Sequence, residues 1–202
     1  MKQRVVADLS GLPLHAMGEA SLTWWGTLTF MLLEGTGFAL VIAIYLYLAS
    51  LADTWPIGAP PPDLLPGTLV TVVLLISAIP NLLISRWAAQ QQMTKVRLGL
   101  IVMTIFGVLP LVLRIYEFRA LHISWDSNAY GSIVWTMLGL HTTHVLTDLA
   151  DTGVLLALMF SRHGYSPRRF GDVQDNALYW NFVILTWLPI YGCLYWLPRL
   201  WQ

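Results

Sequence analysis

Charge is scarce in this chain: lysine, arginine, aspartate and glutamate make up only 11% of 202 residues, while 56% are hydrophobic. That balance excludes a water-covered globular surface and marks an integral membrane protein. Cysteine is nearly absent, and the lone Cys193 falls in an apolar segment, which excludes internal disulfides and cysteine metal cages. The net charge is zero and no basic run occurs, so nucleic acid is not an expected partner. Neither a Gly-rich phosphate loop, a serine triad nor a CxxC pair is present. Only five histidines occur, and His15, His122 and His163 fall outside the apolar stretches. These are too few for the histidine clusters of a membrane diiron oxygenase. The other two, His141 and His144, share one face of one segment and cannot sandwich a haem from facing helices. A redox centre of the chain's own is therefore not expected. Residues 1 to 20 contain Lys2, Arg4, Asp8 and Glu19 without a continuous apolar run, so no cleaved signal peptide is expected.

What is present is long apolar sequence. A membrane-spanning helix needs about 20 predominantly apolar residues. Segments at 22 to 50, 66 to 86, 98 to 118, 131 to 160 and 177 to 198 meet that requirement. The expectation is an all-α bundle of five transmembrane helices in one domain, residues 21 to 202, preceded by a cytoplasmic segment, residues 1 to 20. Proline-rich sequence between Asp53 and Asp63 predicts a short exposed turn. Pro80 and Pro110 predict kinks inside spans two and three unless neighbours satisfy the freed backbone groups. Lys2, Arg4, Arg86, Lys95, Arg97, Arg162, Arg168 and Arg169 sort to one side of this topology, leaving Arg114, Arg119 and Arg199 on the other. By the positive-inside rule the N-terminus is cytoplasmic and the C-terminus outside. Trp24, Trp25, Trp55, Trp125, Trp196 and Trp201 cluster near span ends and read as an interfacial belt.

Against this background the ionisable residues inside spans stand out, because each costs about 2.5–3.5 kcal/mol on insertion scales. At about 100° per residue, His141, His144, Asp148 and Asp151 fall within an arc of about 80° on span four. Three readings fit that stripe: a polar seam satisfied by its own members, a functional proton site, or a metal site completed from another helix. Glu34 lies about 18 Å into span one, close to the midplane. A carboxyl there should be protonated or paired, with Asp148 or a span-four histidine as a natural partner. Glu117 follows Arg114 by three residues and reads as an interfacial ion pair near the headgroups, worth less than about 1 kcal/mol. Asn181 and Thr186 are expected to hydrogen-bond between helices, in a span-five segment without charge from Tyr179 to Trp187.

Four motifs occur in a telling order. Leu33-Glu34-Gly-Thr-Gly-Phe38 resembles the buried glutamate motif of subunit III of the haem-copper respiratory oxidases, in its short five-helix form. Tyr116-Glu117-Phe118 is similar to that family's acidic helix end. Gly139-Leu-His-Thr-Thr-His-Val145 resembles its Gly-x-His-x-x-His-Val signature, with Tyr130-Gly131-Ser132 as the small-residue start of that helix. Tyr179-Trp180-Asn181-Phe182-Val183 through Trp187 resembles its closing Tyr-Trp-His-Phe-Val-Asp-x-x-Trp pattern, with Asn181 where the family usually has His and Ile184 where it usually has Asp. Asp148 and Asp151 fall outside these motifs.

The resemblance covers roughly residues 21 to 200. It implies an accessory subunit of a terminal oxidase of the cytochrome c oxidase type in a bacterial plasma membrane, packed against catalytic subunit I beside subunit II. Haem and copper would be held in those partner subunits, with cytochrome c or a quinol as electron donor. The chain itself would bind structural phospholipid and support dioxygen reduction and proton translocation. Glu34, Glu117, His141 and His144 are the polar positions carried over. Two alternatives remain: the similar accessory subunit of a nitric oxide reductase or quinol oxidase, and a small proton-coupled carrier.

Overall fold

The computed structural model describes residues 21 to 200. The segment 1 to 20, with Lys2, Arg4 and His15, lies outside the described residues, as does Trp201. Five long helices cross the molecule: α1 (Leu22–Leu51), α2 (Leu64–Ala89), α3 (Met93–Arg119), α4 (Ala129–Phe160) and α5 (Pro167–Tyr191). All five are long and apolar enough to span a membrane, α5 together with its continuation to Leu200. That continuation is a π-helical turn, Gly192–Trp196, followed by the short helix α6 (Leu197–Leu200).

Local chemistry sets the ends. The Ser21 hydroxyl accepts from the Trp24 amide at 3.0 Å, and the Asn128 side chain accepts from the Gly131 amide at 2.9 Å. Each satisfies one of the donors that a helix start leaves open. Pro167 occupies the first turn of α5, where its missing N–H costs nothing. Pro80 and Pro110 leave α2 and α3 unbroken in helical assignment. The fifth helix begins ten residues earlier than hydropathy placed it, so α5 includes Asp172 and Asp175.

The helices α2, α3, α4 and α5 form the packed body, and α1 lies against α4 and α5. Only 6% of the apolar stretch of α1 is buried, against 50% for the last span, so α1 is peripheral. Tyr45, Leu74, Leu100, Leu138, Trp180 and Trp187 form part of a continuous core. Gly67 permits close approach of α2 to the C-terminal turns, because a Cβ there would overlap the Tyr195 ring.

Polar tethers fix which connections share an end. Arg97 Nε donates to the Met159 carbonyl at 2.8 Å, joining the α2–α3 and α4–α5 connections. At the opposite end Asn128 donates to Ile57 O at 2.8 Å and Arg199 donates to Pro62 O at 2.6 Å. Arg86, Lys95, Arg97, Arg162, Arg168 and Arg169 therefore gather at one end, called here the basic end. The 53–63 connection is non-helical as expected, but it is not simply exposed. Trp55, Pro56 and Pro62 are buried. Trp55 also leaves the belt: it is 5% exposed and donates to the Tyr45 hydroxyl at 2.9 Å. Its indole N–H finds a protein partner inside, which removes the reason to sit at an interface. Trp125 and Trp196 do remain exposed.

Candidate functional site

Two buried polar clusters meet along α4. The first surrounds Arg114, which is 2% exposed, and Glu117, which is fully buried. Arg114 Nη1 lies 2.6 Å from Glu117 Oε2, and the Tyr195 hydroxyl donates to Glu117 Oε1 at 2.5 Å. The π-helical turn presents Tyr195 to that carboxylate. Arg114 Nη2 reaches His141 Nδ1 at 2.8 Å, and His141 Nε2 lies 3.0 Å from the Val183 carbonyl. A guanidinium can only donate, so Nδ1 accepts and the His141 proton sits on Nε2. Both ring nitrogens are thus engaged. The guanidinium also lies 4.4 Å from the Trp187 ring centroid, a cation–π contact.

This corrects the interfacial reading of Arg114 and Glu117. Their position near the end of a hydropathy window suggested headgroup depth, but the C-terminal turns fold over them and remove water. A pair taken out of water stands or falls with its hydrogen bonds, and here each partner has further polar contacts.

The second cluster centres on Glu34. His144 Nδ1 is 2.6 Å from the Leu140 carbonyl, so that nitrogen donates. His144 Nε2 faces Glu34 Oε1 at 3.1 Å, while the Tyr179 hydroxyl donates to Glu34 Oε2 at 2.7 Å. Imidazole and carboxyl share a single proton across that contact. Whichever atom holds it, the pair is neutral overall, which is how a carboxyl at this depth avoids an unpaired charge. Phe38 covers the imidazole, with ring centroids 4.7 Å apart.

Lower on the same stripe, Asn176 donates to Asp148 Oδ1 at 3.3 Å and to Asp151 Oδ2 at 3.0 Å. The stripe is therefore not satisfied by its own members. His141 bonds to α3 and α5, His144 to α1 and its own helix, and the two aspartates to α5. Asp148 and Asp151 line a cavity of about 470 Å³ between α1, α4 and α5. Tyr179 forms part of its wall, one hydrogen bond from Glu34.

The span-five signature is likewise anchored on α2. Trp180 Nε1 donates to Ser77 Oγ and Trp187 Nε1 to Thr71 Oγ1, each at 2.8 Å. Asn81 donates to the Ala177 carbonyl at 2.8 Å and to Asn181 Oδ1 at 2.9 Å, so Asn181 bonds between helices as expected. Thr186 does not. Its hydroxyl bonds to Phe182 O and Val183 O of its own helix, the usual refuge of a helical threonine hydroxyl. Sequence reasoning missed Asn81, Ser77, Thr71, Asn176 and Tyr195. A polar residue within an otherwise apolar span was the available signal for the first three.

Five apolar helices closed around two internal polar clusters define a multi-pass membrane subunit. Comparison with known proteins gives the particular kind. The family model described as cytochrome c oxidase subunit III matches residues 15 to 199. Cytochrome c oxidase subunit 3 of Lumbricus terrestris is 30% identical over 182 residues, covering 85% of this chain and 69% of the relative. Cytochrome c oxidase subunit 3 of Thermostichus vulcanus is 24% identical over 186 residues, covering 92% of each chain. The probable cytochrome c oxidase subunit 3 of Mycobacterium tuberculosis is 26% identical over 194 residues, covering 90% of this chain and 91% of the relative. The chain belongs to the cytochrome c oxidase subunit III family, and its role is that of subunit III in an oxidoreductase complex.

Proposed function

We propose that this chain is the accessory subunit of a cytochrome c oxidase in a bacterial plasma membrane, packed on catalytic subunit I with subunit II in the same complex. It contributes no redox centre. Haem and copper reside in the partner subunits, cytochrome c delivers electrons, and this subunit supports dioxygen reduction and proton translocation while binding phospholipid along its apolar faces. The basic end faces the cytoplasm, following the bias of lysine and arginine.

The observation that carries this reading is the Glu34–His144 pair at 3.1 Å, in a chain matched to the family almost end to end. Within that role, Glu34, His144 and Tyr179 act as a proton-holding group on the α1 side. Glu117 and His141 fix the packing of α3, α4 and α5, and Trp180, Asn181 and Trp187 tie α5 to α2.

The test is purification through a tag on this chain in mild detergent. Haem-copper subunits should co-purify and reduce dioxygen with cytochrome c as donor. Recovery without haem, or with the catalytic subunit of a nitric oxide reductase, would sink the proposal.

A further inference from the structure

Three carboxyl groups serve neither buried cluster. Asp148, Asp151 and Asp175 line the cavity between α1, α4 and α5, whose volume of about 470 Å³ lies within the range typical of small-molecule sites. Its mouth is at the basic end, where Arg169 is already paired with Asp172 at 2.9 Å. Arg169 is the only lysine, arginine or histidine among the described lining residues. Deeper in, Phe30 and Tyr179 form an aromatic wall, stacked with centroids 5.9 Å apart. Asp175 stands eight residues into α5 and Asp148 twelve residues before the end of α4, so they lie about 12 Å and 18 Å from that end of the bundle.

Burial makes these groups unusual. Asp148 is 2% exposed and Asp175 is 9% exposed. Thr23 bonds to the Asp175 carboxyl, yet its Oδ2 is buried without a hydrogen-bond donor. A buried acceptor left open in a cavity wall asks for a donor from outside the chain. Among the described residues no three ligating side chains converge tightly enough for one metal ion. The negative charge is instead spread along the cavity, beside aromatic faces that also favour cations.

We propose that this cavity binds an organic ammonium ion, a short alkylamine or diamine, with its nitrogen held among Asp148, Asp151 and Asp175 and its carbon chain against Phe30 and Tyr179. The assignment goes beyond the subunit role and does not depend on it. A diffusible amine fits better than a lipid headgroup. A phosphoethanolamine group entering from the basic end would bring its phosphate toward the carboxylates before its amine.

The experiment is calorimetric titration of the purified oxidase complex, delipidated in neutral detergent, with putrescine and with the neutral diol of equal length. Putrescine should bind saturably and the diol should not. Asp151→Asn and Asp175→Asn should each weaken putrescine at least about tenfold, the scale of one lost charge-assisted hydrogen bond. Thr27→Leu, which narrows the cavity without altering charge, should weaken it as well. Adding short-chain phosphatidylethanolamine separates the sources: displacement of putrescine assigns the ammonium site to a lipid headgroup, and no displacement assigns it to a diffusible amine. Absence of saturation, or equal affinity in all variants, would overturn the site. Haem content of the complex is read in parallel, so failure of the subunit assignment is seen separately.

Discussion

His141 and His144 stand one turn apart on α4, yet they live in opposite kinds of surroundings. His141 is pinned between the Arg114 guanidinium and the Val183 carbonyl, with both nitrogens committed. His144 shares a proton with Glu34, and Tyr179 connects that pair to a cavity open at the basic end. The first cluster is sealed: every charge has a fixed partner, and a change of protonation would break a contact. The second can relocate its proton without breaking one. Insertion cost alone therefore does not separate structural from functional ionisable groups; what separates them is whether the proton has more than one place to be.

The contrast is broken most severely through Arg114. Arg114→Met leaves Glu117 buried without its cation and should destabilise the assembled subunit by about 3–5 kcal/mol, measured as loss of the subunit from the purified complex. Adding Glu117→Gln should recover much of that loss; no recovery would mean that the arginine acts chiefly through Trp187 and His141. Tyr195→Phe removes one charge-assisted hydrogen bond and should cost about 1.5–3 kcal/mol in denaturant midpoint experiments. Asn181→Ala leaves Asn81 with its bond to Ala177 O alone and should cost about 1 kcal/mol. Glu34→Gln should have the smallest effect on stability, below about 1 kcal/mol, because an amide can still accept from Tyr179 and donate to His144. In the assembled oxidase the same variant should lower the proton-to-electron ratio. A Glu34→Gln subunit that fails to assemble would place both clusters in the same structural class.

Much of this was legible before any coordinates. Five spans followed from apolar length, and the α4 stripe followed from helical periodicity. Glu34 found a span-four histidine because a midplane carboxyl has few other ways to be satisfied. The depth of Glu117 was not legible, since distance along one helix says nothing about a later segment folding over its end. Trp55 failed for a related reason: its amphipathic ring suits an interface or a pocket with one acceptor, and only the fold supplies Tyr45. Asn176 was missed because hydropathy started the last span after it, although helix α5 already includes it.

The π-helical turn at Gly192–Trp196 carries a consequence for the length of the chain. Such a turn is an α-helix with one residue too many, and each residue rotates the helix by about 100°. Deleting a single residue there would let the strand of hydrogen bonds close regularly while swinging Tyr195 away from Glu117 and Arg199 away from Pro62. The last nine residues of the final helix thus behave as a key whose cut is set by one insertion, and a shorter, more regular helix would no longer fit the lock.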